Sequence, residues 1–419
     1  MKGTTDLMRH RWATQKDKDI ILGSVWEQLG NRSNPAAELP KAGDKTVPKD
    51  VFHAVAATQT SDEFSLTIPL EESLKGDGVG GMQLLRGTEE DTVARSCKTY
   101  YNNVRKAVNM SNEGVEFGST AYIQKAKDKY DLLGEWMAAN RDYSVEMAIC
   151  ERGDRYLIDD QYWAGNANQT TAPVARGIHP NIAYLGMNAA PTRSTTVATD
   201  LANIAAALKA MSSASVFNKA ALVSAITFGR RFANPLNWKS GSQRINHIVM
   251  ISEIQAIQLQ NDSSWQDLWK GAGERGIDNR AISGVVGGPF MECLVIVNPR
   301  QPIFRLDAGN IGFEYVTPML GSSFNSLLGL QNLNRVAKGA ATVQTGTCEV
   351  CYVLGAGAIG VPNPKKLKYI EEKTDFGHFT ALAAAEIIGH NRLDFKAADN
   401  SIKNISSGLF FTATPAFTY

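Results

Sequence analysis

Apolar and polar positions alternate with period two through Phe64-Ser65-Leu66-Thr67-Ile68-Pro69-Leu70, which predicts a strand with one buried face. Pro69 has no N–H to give to a ladder, so this strand belongs at a sheet edge. Gly76, Gly78, Gly80 and Gly81 follow and predict a permissive turning tip. The chain then returns through 93–108, an extended run interrupted by Arg95, Lys98, Asn102, Asn103, Arg105 and Lys106. That is too little apolar surface to fold back as a core. A lone two-stranded hairpin is marginal in water, so the pattern predicts an arm that lies on another surface, and a second copy of the chain supplies one.

A helix is predicted next, over about 119–151. Tyr122, Ala126, Tyr130, Leu133, Met137 and Met147 fall largely on one face, with Lys125, Lys127, Asp128, Lys129, Asp131, Glu135 and Arg141 on much of the rest. Such a rod would be about 45–50 Å long, and Gly153 is its expected stop. The remaining pattern is mixed. Residues 1–60 read as an arm, with a short helical stretch over 20–29 around Trp26 and a Pro-, Gly- and charge-rich run over 31–49. Residues 161–199 are irregular; helices are expected from Asp200 through Met211, over 216–231 and over 324–337. Strands are expected over 245–251, 290–297, 348–354, 368–372 and 381–388, with Phe395 closing a last extended run and a glycine-rich loop over 271–288. Helices and strands mix without a regular βα repeat, which predicts an α+β fold.

Composition narrows the function classes. Lys plus Arg number 43 and Asp plus Glu 42, a formal charge of +1, so neither a basic excess nor a basic stripe marks a phosphate-gripping surface. No run of 18 apolar residues is present and none is expected to span a membrane. Residues 1–18 are polar and carry no signal-peptide pattern. Cys97, Cys150, Cys293, Cys348 and Cys351 are odd in number and mostly scattered, as expected of reduced thiols in a cytosolic protein.

One motif invites a chemical reading. Gly355-Ala356-Gly357-Ala358-Ile359-Gly360 is a literal G-x-G-x-x-G behind an apolar strand, the dinucleotide-binding pattern. That mechanism needs a helix to begin inside the motif, and Pro362 and Pro364 follow at once. A glycine-rich turn is the expectation. Cys348 and Cys351 lie in a strand pattern with no second Cys or His pair, so no metal site is expected. Glu89 and Glu90 read as a solvated face, and His247 as a structural histidine. No catalytic residue and no cofactor is predicted.

The order of features resembles the major capsid proteins of tailed bacteriophages, the Hong Kong 97-type fold. The residues that carry the likeness are Ile68-Pro69-Leu70, Leu74-Lys75-Gly76-Asp77-Gly78-Val79, Leu85-Arg86-Gly87-Thr88-Glu89-Glu90 and Arg105-Lys106-Ala107-Val108. Leu133, Trp136 and Asp142 stand where that family's spine helix lies. Looser matches are Asn279-Arg280-Ala281-Ile282-Ser283-Gly284, Leu328-Gly329-Leu330-Gln331, Asp375-Phe376-Gly377, Ile388-Gly389 and Phe395.

The resemblance implies an N-terminal arm over 1–60 and an extended hairpin, the E-loop, over 61–113. It implies a spine helix and first part of a peripheral domain over 114–215, an axial domain over 216–344, and closing peripheral strands over 345–419. It further implies pentamers and hexamers in an icosahedral head around double-stranded DNA, contacted weakly and non-specifically. Portal and scaffold or decoration proteins are the other implied partners, and the virion, assembled in a bacterial cytoplasm, the location. Inter-subunit contact is expected at Phe64, Leu66, Ile68, Leu74, Lys75, Gly76, Gly78, Glu89, Glu90 and Arg105. A cellular encapsulin-like compartment shell and an enzyme using Gly355–Gly360 are the competing readings. Lysine–asparagine crosslinking, known in some members of the fold, is not carried over to Lys75.

Overall fold

A computed structural model describes residues 26, 51–55, 65–71, 79–80, 94–110, 119–150, 178–187, 191–194, 197–212, 214–236, 238–240, 243–267, 288–307, 310–314, 347–374, 379–396, 402–404 and 406–414. In chain order the elements are β1 (Phe52–Val55), β2 (Ser65–Glu71), β3 (Ala94–Tyr100), β4 (Asn102–Met110), α1 (Ser119–Cys150), β5 (Ile182–Tyr184), α2 (Val197–Lys209) and α3 (Lys219–Phe232). Then come β6 (Trp238–Ser240), β7 (Gln243–Ile245), β8 (His247–Ser252), α4 (Glu253–Asn261), β9 (Gly288–Phe290), β10 (Cys293–Asn298), β11 (Ile303–Asp307) and β12 (Asn310–Glu314). The last third holds β13 (Thr347–Leu354), β14 (Ile359–Pro362), β15 (Lys365–Thr374), β16 (Phe379–Ile388), β17 (Asn391–Arg392), β18 (Asp394–Lys396), β19 (Ile402–Asn404) and β20 (Ser407–Ala413). The mixture is α+β, as the pattern predicts.

The largest sheet is eight-stranded and is built around β13. One edge of β13 pairs along its length with β20, while the other pairs first with β11 and then with β8. At the seam between those two partners the buried Gln301 amide donates to Val350 O (2.6 Å) and Met250 O (3.3 Å), occupying carbonyls that the ladder leaves behind. Because side chains alternate along a strand, Cys348, Val350, Tyr352 and Leu354 face one layer and Cys351 and Val353 the other. The first layer holds α2 through Ile204, Ala205 and Leu208, and the end of α1. The second holds α3 through Ala221, Leu222, Ala225 and Ile226, and α4 through Ala256 and Leu259.

Capping explains where these shorter helices begin. Asn218 Oδ1 accepts from Ala221 N (2.8 Å) at the start of α3. Ser252 and Gln255 form a reciprocal capping box at the start of α4. The Gln255 amide also donates to Thr412 Oγ1 (2.9 Å), which ties that cap to β20.

A smaller sheet, in the order β15-β16-β4, packs on the middle of α1, from Tyr130 to Ala138. Tyr130, Leu133 and Met137 recur at helical spacing against Val104, Leu382, Ala384 and Ile388. Each such large apolar side chain contributes about 1.5–3 kcal/mol on full burial. The helix, about 48 Å long at 1.5 Å per residue, then runs into the core of the large sheet. From Asp142 to Cys150 every side chain is buried, so the expected one-faced amphipathic pattern does not extend over the last third. The end of α1 is met by Arg392 Nη1 on Ile149 O (2.9 Å) and His179 N on Cys150 O (3.1 Å), partners for carbonyls that a helix end leaves open. Gly153, the expected stop, lies outside the described residues.

Other expectations are corrected. The extended run 93–108 is two strands broken at Tyr101, and the second, β4, is not part of an arm: it is the edge of its own subunit's sheet, with Val104 wholly buried. The run 290–297 is likewise two strands, since Met291 (φ 48°) and Glu292 (φ 62°) turn the chain between β9 and β10. Residues 1–60 are not wholly an arm. Trp26 and Val51 are buried in the core, and β1 pairs in parallel with β14. Phe395 does not close the last run, because β20 follows it and is buried along its whole length. β13 and β20, from the span 345–419, share one sheet with β8 and β10, from the span 216–344. The expected loop over 271–287 and helix over 324–337 lie outside the described residues.

Candidate assembly surfaces

The tempting glycine motif is explained by packing. β14 begins at Ile359, so a strand and not a helix follows the loop. A Cβ on Gly355 would sit 2.3 Å from Asn234 O, one on Gly360 2.7 Å from a Leu393 methyl, and Gly357 has φ +70°. Three of the loop's N–H groups are already bound: Gly355 N to Ser406 O (2.6 Å), Ala356 N to Asn234 O (2.9 Å) and Ile359 N to Val51 O (3.2 Å). A pyrophosphate needs such donors exposed at a helix N-terminus, and here they are spent on neighbouring carbonyls.

A second constellation escaped the sequence reading. His179 Nε2 lies 2.8 Å from Ser407 Oγ, the separation of a nucleophile and its base. His179 Nδ1 accepts from Asn181 N (2.9 Å), so the ring proton is on Nε2 and is donated to the serine oxygen. The Ser407 hydroxyl in turn donates to Asn404 Oδ1 (3.0 Å). Burial first, and the charges of Arg392 and Arg193 after it, hold the His179 ring well below its ordinary pKa. The imidazole therefore has no lone pair facing the hydroxyl, and both residues are wholly buried. This is a polar knot tying β20 to the end of α1. No sequence signal marked it, because His179 and Ser407 lie 228 positions apart.

His247 is structural, as expected: its Nε2 donates to Ala233 O (3.0 Å), and burial lowers its pKa. The five cysteines are all buried and none forms a disulfide. Burial pushes the Cys97 thiol up to about 12 and that of Cys293 to about 11, so neither is a thiolate at neutral pH. Among the described residues no group of His, Cys, Asp and Glu could hold a metal ion, and no helix is long and apolar enough to cross a membrane.

What the described residues present is a ribbon and a sheet face with a half-exposed apolar side chain. β2 and β3 pair only with each other among the described residues, with Ile68 opposite Cys97 and Leu66 opposite Thr99. The root of the ribbon is clamped to its own subunit. Cys97 and Thr99 are buried, Asn391 Nδ2 donates to Tyr100 O (2.6 Å), and Gly389 lies against the same carbonyl. The clamp explains Ile388-Gly389 in the sequence: a Cβ at 389 would be 1.9 Å from Tyr100 O.

The β15-β16-β4 sheet shows opposite characters on its two sides. Its inner side is fastened to α1 by the Arg141–Glu386 ion pair, by Lys106 over the Trp136 ring (5.5 Å) and by Tyr130 Oη on Glu371 (3.3 Å). On the outer side, Ala381, Ala383 and Ala385 run down the middle strand. Their neighbours across the ladder are Asn109, Ala107 and Arg105 on β4, and Glu372, Ile370 and Lys368 on β15. The result is a shallow alanine floor with Ile370 about half exposed (53%), Arg105 and Lys368 at one end and Glu372 at the other. A surface of this kind carries no packing partner within the described residues and is the shape that a flat ribbon fits.

Of the expected contact residues, Leu66 and Ile68 lie on β2, and Arg105 is exposed on the outer side of β4. Phe64, Leu74, Lys75, Gly76, Gly78, Glu89 and Glu90 lie outside the described residues. The alanine floor itself was not anticipated. Its signal was present as alternation in Ala381-Leu382-Ala383-Ala384-Ala385, small residues on the side away from the helix.

No protein-family model matches the chain, and no curated protein sequence is similar to it. Solved structures are similar in fold. The capsid of Ralstonia phage GP4 aligns over 89% of each chain with a TM-score of 0.54 at 14% identity. The acidic stable capsid of Helicobacter pylori bacteriophage KHP30 aligns over 87% of this chain and 88% of the other (TM-score 0.54, 14% identity). The cyanophage Pam1 capsid aligns over 92% and 98% (TM-score 0.57, 12% identity). In fold, then, this α+β chain is like the proteins of these phage capsids nearly end to end.

Proposed function

We propose that the chain is the major capsid protein of a tailed double-stranded DNA bacteriophage, with the Hong Kong 97-type arrangement. In this reading α1 is the spine helix, and with β4, β15 and β16 it forms the peripheral domain. The eight-stranded sheet with α2, α3 and α4 is the axial domain, and the β2–β3 ribbon is the E-loop. The observation that carries the reading is the presence in one chain of a two-stranded ribbon held at its root and a sheet face that, among the described residues, leaves Ile370 half exposed beside a row of alanines. The ribbon cannot be stable on its own, and two strands laid on three would bury both surfaces at once. A second copy supplies the ribbon, and repetition of that contact around symmetry axes makes closed rings.

Pentamers and hexamers of the chain would then close into a shell, located in the virion. The contact residues on the arm would be those expected above, with Arg105 at the rim of the receiving face. Portal, scaffold or decoration proteins would complete the particle. The near-neutral charge fits a wall that encloses DNA without gripping it.

Sedimentation velocity tests the assembly. Capsomers or particles far above the 45.5 kDa chain are expected, and material that stays at that mass at all accessible concentrations would overturn the reading. A substitution on the floor separates folding from assembly. Ala383→Glu is expected to change unfolding free energy by less than about 0.5 kcal/mol, as surface changes usually do. It would nonetheless abolish the large species, by placing an unpaired charge in the middle of the contact. Urea unfolding and sedimentation of the same sample read both quantities.

A further inference from the structure

β9 and β10 are joined by a loop of two residues, Met291 and Glu292, since Phe290 and Cys293 pair across it. Both loop residues lie in the left-handed region, with φ 48° and 62°. A two-residue hairpin with positive φ at both positions twists in the sense its strands need, and Asn-Gly or Gly-Gly meets that demand without strain. Methionine and glutamate do not. An L side chain placed there crowds the backbone, and neither residue has the short amide that eases Asn into this region. They are the only non-glycine residues with positive φ among those described.

The body of the subunit holds the turn in this shape. Arg230 Nη2, near the end of α3, donates to Met291 O (2.6 Å), and the main-chain N–H of Asn246 donates to Glu292 O (2.7 Å). Asn246 Nδ2 donates to Glu292 Oε2 (2.8 Å), and Arg230 lies 3.7 Å from the same oxygen. Behind the turn, Phe290 packs edge-on against Trp265 (5.3 Å). The Met291 side chain takes part in none of these contacts and stands about half exposed (47%). A single exposed apolar residue is ordinary on a protein surface. One carried on a strained turn that is braced from three sides is not, because retained strain concentrates at sites of contact and function.

The charges beside it choose the occupant. Arg230, Arg231 and Glu292 are all exposed, so both signs stand next to one apolar side chain. Such a surface is complementary to a rotated copy of itself: the cation of one copy meets the anion of the next while the apolar centres come together. A nucleic acid would call for cations alone.

We propose that the Met291–Glu292 turn is a contact point between neighbouring copies of this chain in a ring, with Met291 as its apolar centre. The proposal rests on the shell reading above and adds a second interface to it. The turn lies at the β9 edge of the eight-stranded sheet and is separate from both the ribbon and the β15-β16-β4 floor.

Methionine oxidation by dilute hydrogen peroxide, read peptide by peptide by mass spectrometry, tests this on the natural chain. Met291 is expected to oxidise about tenfold more slowly in the large species than in dissociated chains, whereas the wholly buried Met137 and Met250 stay slow in both. Equal rates at Met291 in the two states overturn the proposal and leave the shell reading intact. A chain that forms no large species overturns both, and sedimentation tells the two failures apart. Two variants separate contact from folding. Met291→Asn removes the apolar centre and suits the left-handed backbone, so its folded-to-unfolded ratio is expected to rise about three- to tenfold. The concentration it needs for assembly is expected to rise about tenfold or more. Met291→Leu keeps the apolar bulk and is expected to assemble like the natural chain. A Met291→Asn protein that assembles at the natural concentration overturns the proposal, and if that variant does not fold, the oxidation rates of the natural chain decide.

Discussion

Gly389→Ala is expected to cost about 3 kcal/mol or more of folding stability and to remove the large assembled species. The reason is local and steric. The added carbon would stand 1.9 Å from Tyr100 O and 3.0 Å from both Tyr100 C and Tyr101 Cα. These are backbone atoms, so no flexible side chain can swing aside to make room. Moving the Tyr100 carbonyl would also break its hydrogen bond from Asn391 Nδ2. Losing a buried hydrogen bond adds about 1–3 kcal/mol. The same shift falls at the elbow where the ribbon meets the sheet, so its direction changes along with the stability. Urea unfolding and sedimentation measure the two effects. Gly80→Ala is the control, since Gly80 is exposed with nothing within 4 Å of a Cβ. A Gly389→Ala protein as stable as that control would show that β3 and β4 do not meet as described.

The second large effect is expected at Glu386. Its side chain is wholly buried on β16, and Arg141 of α1, itself only 11% exposed, donates to both carboxylate oxygens. Glu386→Ala leaves a guanidinium in the interior between helix and sheet. Removing one partner of a buried pair costs about 3–5 kcal/mol, most of it the penalty of the stranded charge. Replacing both residues is predicted to behave differently. Arg141→Met with Glu386→Leu removes both charges of the pair, and such swaps are often neutral or stabilising. The double variant should therefore recover most of what Glu386→Ala loses. A cycle built from the two single changes and the double change, read by urea unfolding, checks this. A single-variant cost below about 1 kcal/mol would mean that the pair is solvated, with the sheet not closed on α1.

How far the fold was readable depended on whether burial was local. The long helix showed itself because Tyr130, Leu133 and Met137 repeat at its own period, and β13 because Val350, Tyr352 and Leu354 form a short apolar run. β20 has an equally apolar centre, Leu409-Phe410-Phe411, but it follows serine and glycine, and the pattern names no separate strand there. β4 was misread for a different reason. Val104, Lys106 and Val108 alternate correctly for a strand with one covered face, yet Lys106 on that face keeps its ammonium over the Trp136 ring and stays exposed. A lysine counted as polar made the strand look unsupported.

The last third of α1 was beyond any local signal. Asp142 and Glu146 are buried because Trp26, Asn298 and Arg300 arrive from distant parts of the chain. The same is true of His179 and Ser407. The hairpin was legible as extended chain through its alternation and its glycines, but the face that would receive a neighbour's hairpin was not. Alanines on a strand look like ordinary core until their cross-strand partners are known.

The contact between one copy's ribbon and another copy's sheet face is the central claim, and mixed-isotope crosslinking tests it most directly. Chains grown separately in light and heavy nitrogen would be dissociated, mixed, reassembled and joined with a short lysine-reactive crosslinker. The account predicts heavy–light links between the ribbon (Lys98) and the rim of the sheet (Lys368). Links from the ribbon to that sheet found only within chains of one isotope would contradict it, because the arm would then serve its own subunit.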